Sequence, residues 1–305
     1  MLIFGANFLV DGSSNIAKKF HIPEIIIGLT IVSIGTSMPE LLVSITSALG
    51  GYSDMAIGNV VGSNIANLLL ILGVSSILRP VIFNRETRLI EIPICLFVSI
   101  AFVIICNIGY DVSKIDSIIL LIMFVLFILY TIIMAKKGEE FDKEDEEEKE
   151  EPIKTNSSLK SILSIILGIV LLKFGGDFTV NNAVKIANIF GLSEKIISVT
   201  ILAIGTSLPE LVTSVSAAIK GKSDIAIGNI LGSNIFNMLL IVGVSGLISP
   251  ITYNISYNRD MIILIFATLV LALFPAIPPK NKMSRMNGAV YFTLYMAYLV
   301  MLFML

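Results

Sequence analysis

Long apolar stretches separated by short polar interruptions run the length of the chain. Those long enough to cross a hydrocarbon core, roughly 20 residues each, fall at 24–49, 55–78, 89–109 and 115–135, then at 159–182, 195–219, 225–248, 260–277 and 288–305. Residues 1–20 add a shorter one, and the pattern predicts an all-α membrane protein of ten transmembrane helices. The polar interruptions carry a direction. Counted in alternate loops, Lys and Arg number 16 on one side and 4 on the other, and the bias stays at 10 to 4 when the charged central segment is left out. Cationic loops are retained in the cytoplasm, which predicts a cytoplasmic-membrane protein with a cytoplasmic central segment and both termini outside.

The pattern also repeats. Residues 28–80 and 198–250 align without a gap at an offset of 170, with 30 of 53 positions identical. GTSMPELLVS at 35–44 returns as GTSLPELVTS at 205–214, and SDMAIGNVVGSNIANLLLILGVS at 53–75 returns as SDIAIGNILGSNIFNMLLIVGVS at 223–245. Five spans precede the second copy, and an odd number inserts it upside down relative to the first. The chain therefore divides into an inverted repeat at 1–135, a linker at 136–158 and a second inverted repeat at 159–305. Helix 1 is expected to be short: residues 1–20 align with 171–190, so it lacks about 13 residues that precede that point in the second half. Residues 1–10 are too short for a signal peptide and lack a basic start. Inverted repeats with interrupted helices are the build of secondary transporters, with the substrate site near the bilayer midplane.

Composition narrows the chemistry. Of 305 residues 55% are hydrophobic and only 14% charged, and the mean hydropathy is +0.92; a soluble domain carries about 25% charged residues. A net charge of −2 with no basic block excludes nucleic acid as a partner. One histidine, His21, leaves no imidazole-rich zinc site and no histidine-built nucleophile relay. Cys95 and Cys106 lie in an apolar span and read as small hydrophobes. The linker holds GEEFDKEDEEEKEEP, too acidic to bury apolar area and expected to be a solvated tether. It shows no spaced calcium-loop pattern, and no cofactor is expected.

Two carboxylates stand where water is scarce. Glu40 and Glu210 occupy equivalent positions inside apolar spans, where an ionisable group costs about 2.5–3.5 kcal/mol and marks function. No Lys or Arg lies in the neighbouring motifs to pair with them. Thr36 and Ser37 precede Glu40, and Thr206 and Ser207 precede Glu210, so two hydroxyls and a carboxylate share one side of each helix. Pro39 and Pro209 lack a backbone N–H, and Gly35 and Gly205 ease the helix open, so carbonyls around Ser33 to Thr36 and Ala203 to Thr206 lose donors and can face a ligand. Ser63 with Asn67, and Ser233 with Asn237, add a hydroxyl and an amide one turn apart, for which interhelical hydrogen bonding is the alternative role. Gly58 with Gly62 and Gly228 with Gly232 read as close-packing positions. Asn59, Asn64, Asn229 and Asn234 fit packing or helix-end roles, and Asp54 and Asp224 fit N-caps. Hard oxygen donors without imidazole or thiolate favour alkali and alkaline-earth ions. Calcium neutralises two carboxylates, and so do sodium ions, with any further one held by neutral oxygens.

The paired GTSMPE/GTSLPE and GNVVGSNIAN/GNILGSNIFN motifs resemble the two alpha repeats of the cation/calcium exchanger superfamily, its prokaryotic sodium/calcium exchangers in particular. The resemblance covers essentially the whole chain outside the linker and the short first helix. It implies a ten-helix fold and ion coordination by Thr36, Ser37, Glu40, Ser63 and Asn67 with Thr206, Ser207, Glu210 and Ser233. It also implies sliding of the first and sixth helices across the rest. Some relatives carry aspartate at the position of Asn237, and proton-coupled relatives place an acidic residue where this chain has Gly62 and Gly232, which favours sodium as counter-ion. The expected function is electrogenic sodium/calcium antiport by alternating access, with calcium and sodium as substrates and a single chain sufficient for one path. The alternatives are a proton/calcium or sodium/proton antiporter, an intramembrane hydrolase using the carboxylates as acid and base, and a passive channel.

Overall fold

The computed structural model describes residues 1–145, 158–189, 203–276 and 280–304. An apolar solvent offers no partner to a bare peptide group, so the apolar stretches close their hydrogen bonds as helices. The first half runs α1 (Leu2–Lys19), α2 (Glu24–Thr36), α3 (Met38–Leu49), α4 (Ser53–Leu78), α5 (Thr87–Asn107) and α6 (Lys114–Asp145). The second runs α7 (Ser158–Ile189), α8 (Ala203–Thr206), α9 (Leu208–Ile219), α10 (Ser223–Ile248), α11 (Tyr257–Leu273) and α12 (Arg285–Met304). Five described helices are long and apolar enough to cross a membrane, and α2 with α3 makes a sixth span bent by 49°. The protein is a multi-pass helical membrane protein.

Burial sorts the helices into a centre and a lipid-facing shell. The apolar windows of α4 and α10 are 78% and 94% buried, whereas that of α6 is 17% buried. The second motif of each half thus occupies the middle, and glycine lets the neighbours in. A Cβ at Gly232 would lie 2.7 Å from Leu29 O and Ser33 Oγ, and one at Gly28 would lie 3.0 Å from Gly228 Cα, so α2 and α10 touch backbone to backbone. α1 and α7 form a second close pair on the same principle: a Cβ at Gly168 would meet Leu9 N at 2.7 Å, and one at Gly5 would meet Gly168 O at 2.9 Å.

Two short antiparallel strand pairs tie the halves together. β1 (Val81–Ile82) pairs with β4 (Lys282–Met283), and β2 (Asp111–Val112) pairs with β3 (Ile251–Thr252). Serine supports them: Ser223 Oγ accepts from Ile82 N–H at 3.2 Å, and Ser53 Oγ accepts from Thr252 N–H at 3.1 Å.

The structure modifies two expectations and agrees with a third, the short first helix. α6 continues through Asp145, well into the segment expected to be an unfolded tether; Glu and Lys are good helix formers, and extending a formed helix costs far less than starting one. Residues 146–157 lie outside the described ones, as does the start of the span expected at 195–219. The first-turn aspartates do not cap. Helices α4 and α10 begin at Ser53 and Ser223 without a side-chain cap, and Asp54 and Asp224 stand inside the first turn, where they face the positive end of the helix dipole. α1 is 18 residues long and ends in Lys18 and Lys19, against 32 residues for α7. Cys95 and Cys106 are free and buried, as read from their apolar surroundings.

Candidate ion-binding site

Both halves break their first-motif helix at a serine. α2 stops at Thr36, α3 starts at Met38, and Ser37 between them sits at φ −84°, ψ 9°. Ser207, between α8 and α9, has φ −83° and ψ 6°. Proline in the first turn of α3 and α9 is the local cause. Pro39 and Pro209 have no N–H to return to the residues four back, so the carbonyls of Gly35 and Gly205 are the ones deprived. Ser33 O is engaged, accepting from Ser37 N–H at 3.0 Å and Thr36 Oγ1 at 3.3 Å, and Ala203 opens α8. The breaks leave Glu40 and Glu210 in the first turns of α3 and α9, where unpaired N–H groups favour negative charge.

The two carboxylates meet the opposite half. Ser37 Oγ donates to Glu210 Oε1 at 2.8 Å, and Ser207 Oγ donates to Glu40 Oε1 at 3.2 Å. The hydroxyls of Ser37 and Ser233 are 2.9 Å apart. Thr36 Oγ1 donates to Asn229 Oδ1 at 3.0 Å, and Thr206 Oγ1 donates to Asn59 Oδ1 at 3.3 Å. Each of these asparagines spends its amide N–H on the helix before it: Asn59 on Ser44 Oγ at 3.0 Å and Glu40 O at 3.2 Å, Asn229 on Ser214 Oγ at 2.9 Å.

A second layer lies where α4 crosses α10. Asn64 donates to Asn234 O at 3.3 Å and Asn234 to Asn64 O at 3.2 Å. Asn67 donates to Asn234 Oδ1 and Asn237 to Asn64 Oδ1, both at 2.9 Å. Asn64 and Asn234 therefore hold the crossing together, while Asn59 and Asn229 tie the threonines of the opposite half to Ser44 and Ser214, roles their spacing alone left among several. The signal for them was present in the sequence: all four recur at the offset of 170, as do Ser44 and Ser214.

What remains is a set of acceptors without donors. Glu40 and Glu210 are each 1% exposed, and Glu40 Oε2, Glu210 Oε2, Ser63 Oγ, Asn67 Oδ1 and Asn237 Oδ1 are buried with no hydrogen-bond partner. An unsatisfied buried acceptor costs about 1–3 kcal/mol, more when charged. Among the described residues no three His, Cys, Asp or Glu side chains converge, and the described salt bridges, Lys220–Asp11 and Lys222–Glu24, do not include either glutamate. A hard cation suits such a donor set: two carboxylates supply the charge, and hydroxyl and amide oxygens complete the shell.

Comparison with known proteins places this arrangement. The chain matches the family described as sodium/calcium exchanger protein over residues 1–133 and 160–304, which leaves out only the linker region and the last residue. It is 33% identical to the sodium/calcium exchanger MaX1 of Methanosarcina acetivorans, over 99% of this chain and 95% of that protein. It is 36% identical to the inner membrane protein YrbG of Escherichia coli, over 90% of this chain and 85% of that one. Among solved structures, the sodium-calcium exchanger NCX_Mj soaked with Na+ and Sr2+ superposes with a TM-score of 0.83 at 32% identity, covering 98% of this chain and 94% of that one. With its two glutamates, its two broken helices and the match along both halves, the chain belongs to the sodium/calcium exchanger family.

Proposed function

We propose that the protein is a sodium/calcium antiporter that works by alternating access, with Glu40 and Glu210 as the central ion ligands. One observation carries this reading: five buried oxygens, two of them carboxylate, have no hydrogen-bond partner, and no basic residue among the described ones pairs with either glutamate. A transported cation supplies the missing partner. Calcium balances both carboxylates. Sodium ions balance them as well, with a further one on Ser63, Asn67, Asn237, Ser233 and the carbonyls of Gly35 and Gly205, which makes the exchange electrogenic. Thr36, Ser37, Thr206 and Ser207 complete the cage. The empty cage carries net negative charge and does not cross the membrane; either loaded form does, and obligatory exchange follows.

The architecture that serves this is ten membrane helices in two inverted repeats, with α2–α3 and α8–α9 each counted as one broken span. The hydrogen bonds support it, because nearly every contact at the centre has a partner at the offset of 170: Thr36–Asn229 with Thr206–Asn59, Ser37–Glu210 with Ser207–Glu40. The distribution of Lys and Arg supports a cytoplasmic linker and outward termini. One chain contains a whole site.

The test is uptake of radiolabelled calcium into sodium-loaded proteoliposomes diluted into sodium-free buffer, with choline-loaded vesicles and a pH-gradient arm alongside. Uptake that needs internal sodium, and that Glu40→Gln and Glu210→Gln each abolish, is the expected result. Uptake driven equally by a proton gradient replaces sodium as the counter-ion, and uptake that survives both substitutions overturns the site.

A further inference from the structure

A third buried carboxylate lies outside the central site. Glu91, on α5, is 1% exposed, and neither of its oxygens has a hydrogen-bond partner. Thr87 stands four residues earlier on the same helix face, fully buried, with its hydroxyl beside the Glu91 carboxyl. The hydroxyl of Tyr130, on α6, is buried without a partner as well, and it lies within the field of Glu91. A carboxylate and two hydroxyls from two helices thus lie buried at the end of the bundle where the linker joins α6.

The backbone sets the same place apart. The described residues contain four π-helical segments, a widened turn that gathers at functional sites. Ala66–Ile71 and Asn237–Ile241 carry Asn67 and Asn237, and Gly28–Val32 runs directly into Ser33. The fourth, Thr87–Glu91, carries nothing of the central site; its two buried residues are Thr87 and Glu91.

Among the described residues, no basic side chain pairs with Glu91. Glu86 and Asp224 both add negative potential at Glu91. Arg88 is turned away, its Nε on Asn84 O at 3.1 Å, and Asn84 itself is taken up by Thr87 N–H and Asp224 Oδ1. In the first turn of α11 a carboxylate behaves otherwise: Asp260 faces the hydroxyl of Tyr298 and lies in the field of Arg259.

We propose that Glu91, Thr87 and Tyr130 form a second cation site, separate from the central cage, that takes one sodium ion at the end of the bundle assigned to the cytoplasm. One carboxylate with neutral hydroxyls matches a single positive charge. A divalent ion would call for a second carboxylate in the cluster, as the central cage supplies with Glu40 and Glu210. The proposal does not depend on what the central site transports.

The test uses the purified full-length protein and reads unfolding through Cys95 and Cys106, the chain's two cysteines, both buried and therefore reactive toward a fluorogenic maleimide only on melting. Sodium chloride is titrated against choline chloride at constant ionic strength and pH, in the Glu40→Gln/Glu210→Gln background that removes the central carboxylates. A saturable, sodium-specific rise in melting temperature is expected there, and adding Glu91→Gln abolishes it. Thr87→Val, which keeps the shape and removes the oxygen, is expected to raise the half-maximal sodium concentration several-fold, and it serves if the triple variant does not fold. A double variant blind to sodium overturns the proposal, as does a shift that follows pH and ignores sodium. Failure of the antiport reading shows separately, as calcium uptake that survives in the double variant.

Discussion

At the scale of single residues, the cage is a conflict between folding and function. Glu40 and Glu210 each have one oxygen held by a serine of the other half and one held by nothing. In the absence of ions the two side chains burden the fold, since a buried charge without a partner costs several kcal/mol. With an ion bound as proposed, they would be its strongest contacts. Removing the charges should therefore change sign with the medium. At about pH 8 in chelator, with choline replacing sodium, Glu40→Gln/Glu210→Gln is expected to stabilise the protein by about 1–3 kcal/mol. In millimolar calcium the wild type should become the more stable of the two, and the pair of melting curves measures both. Destabilisation in both media would mean that the glutamates hold the fold together without an ion. The two glutamates were legible in the sequence because a carboxylate in an apolar span has few structural uses. Their serine partners across the halves were not, since i, i+1 and i+4 spacing says which residues share a helix side and nothing about what faces it.

At the scale of elements, glycine decides how closely α2 approaches α10. Leu29 O, Leu29 Cα and Ser33 Oγ all lie within 2.9 Å of where a Cβ on Gly232 would stand, and two of the three are backbone, which does not swing aside. Gly232→Ala should push α2 off α10 and destabilise by about 1–3 kcal/mol. Gly176 on α7 provides the control: its nearest neighbour would be Pro209 Cγ at 3.7 Å, an ordinary contact, so Gly176→Ala should be neutral or stabilising by up to about 1 kcal/mol through lost chain entropy. Thermal unfolding of both variants checks the contrast, and equal effects would rule out close approach as the role of Gly232. Six of the expected spans, those at 24–49, 55–78, 89–109, 115–135, 159–182 and 225–248, were legible to within a few residues, because apolar length is a coarse and strong signal. The two breaks were legible through Pro39 and Pro209. The π-helical turns were not, since a single extra residue within a turn leaves no mark on hydropathy. Nor was the continuation of α6 through Asp145, where helix propensity and charge pointed in opposite directions.

At the scale of the whole molecule, the repeat is near-symmetric at its centre and asymmetric at its ends. The turn between α9 and α10 is tied to α1 and α2 by Lys220 Nζ on Asp11 Oδ1 at 2.7 Å and Lys222 Nζ on Glu24 Oε1 at 2.9 Å. Ser14 Oγ also donates to Glu24 Oε1, at 2.5 Å, and Arg79 Nη1 reaches Ile219 O at 2.7 Å. At the offset of 170, Gly50 and Tyr52 stand where these lysines would be, so the turn between α3 and α4 has no side chains to make the same ties. A transporter latched in this way at one end is biased toward opening at the other, and the latched end is the one assigned to the cytoplasm. The latch must be weak if it is to release in each cycle. Partly exposed pairs contribute about 0.2–1 kcal/mol each, so two of them hold a bias of about 1 kcal/mol, roughly fivefold in population. Ser14, buried against Glu24, reports on it. As Ser14→Cys in an otherwise native chain, whose own cysteines are buried, it should react with a membrane-impermeant maleimide roughly fivefold faster when Lys220→Ala/Lys222→Ala is added. High salt on that side should bring the unmutated latch toward the same rate, because the pairs are open to screening. Equal rates with and without the lysines would show that apolar packing of α1 against α7 and α9, and not the ion pairs, keeps that end shut.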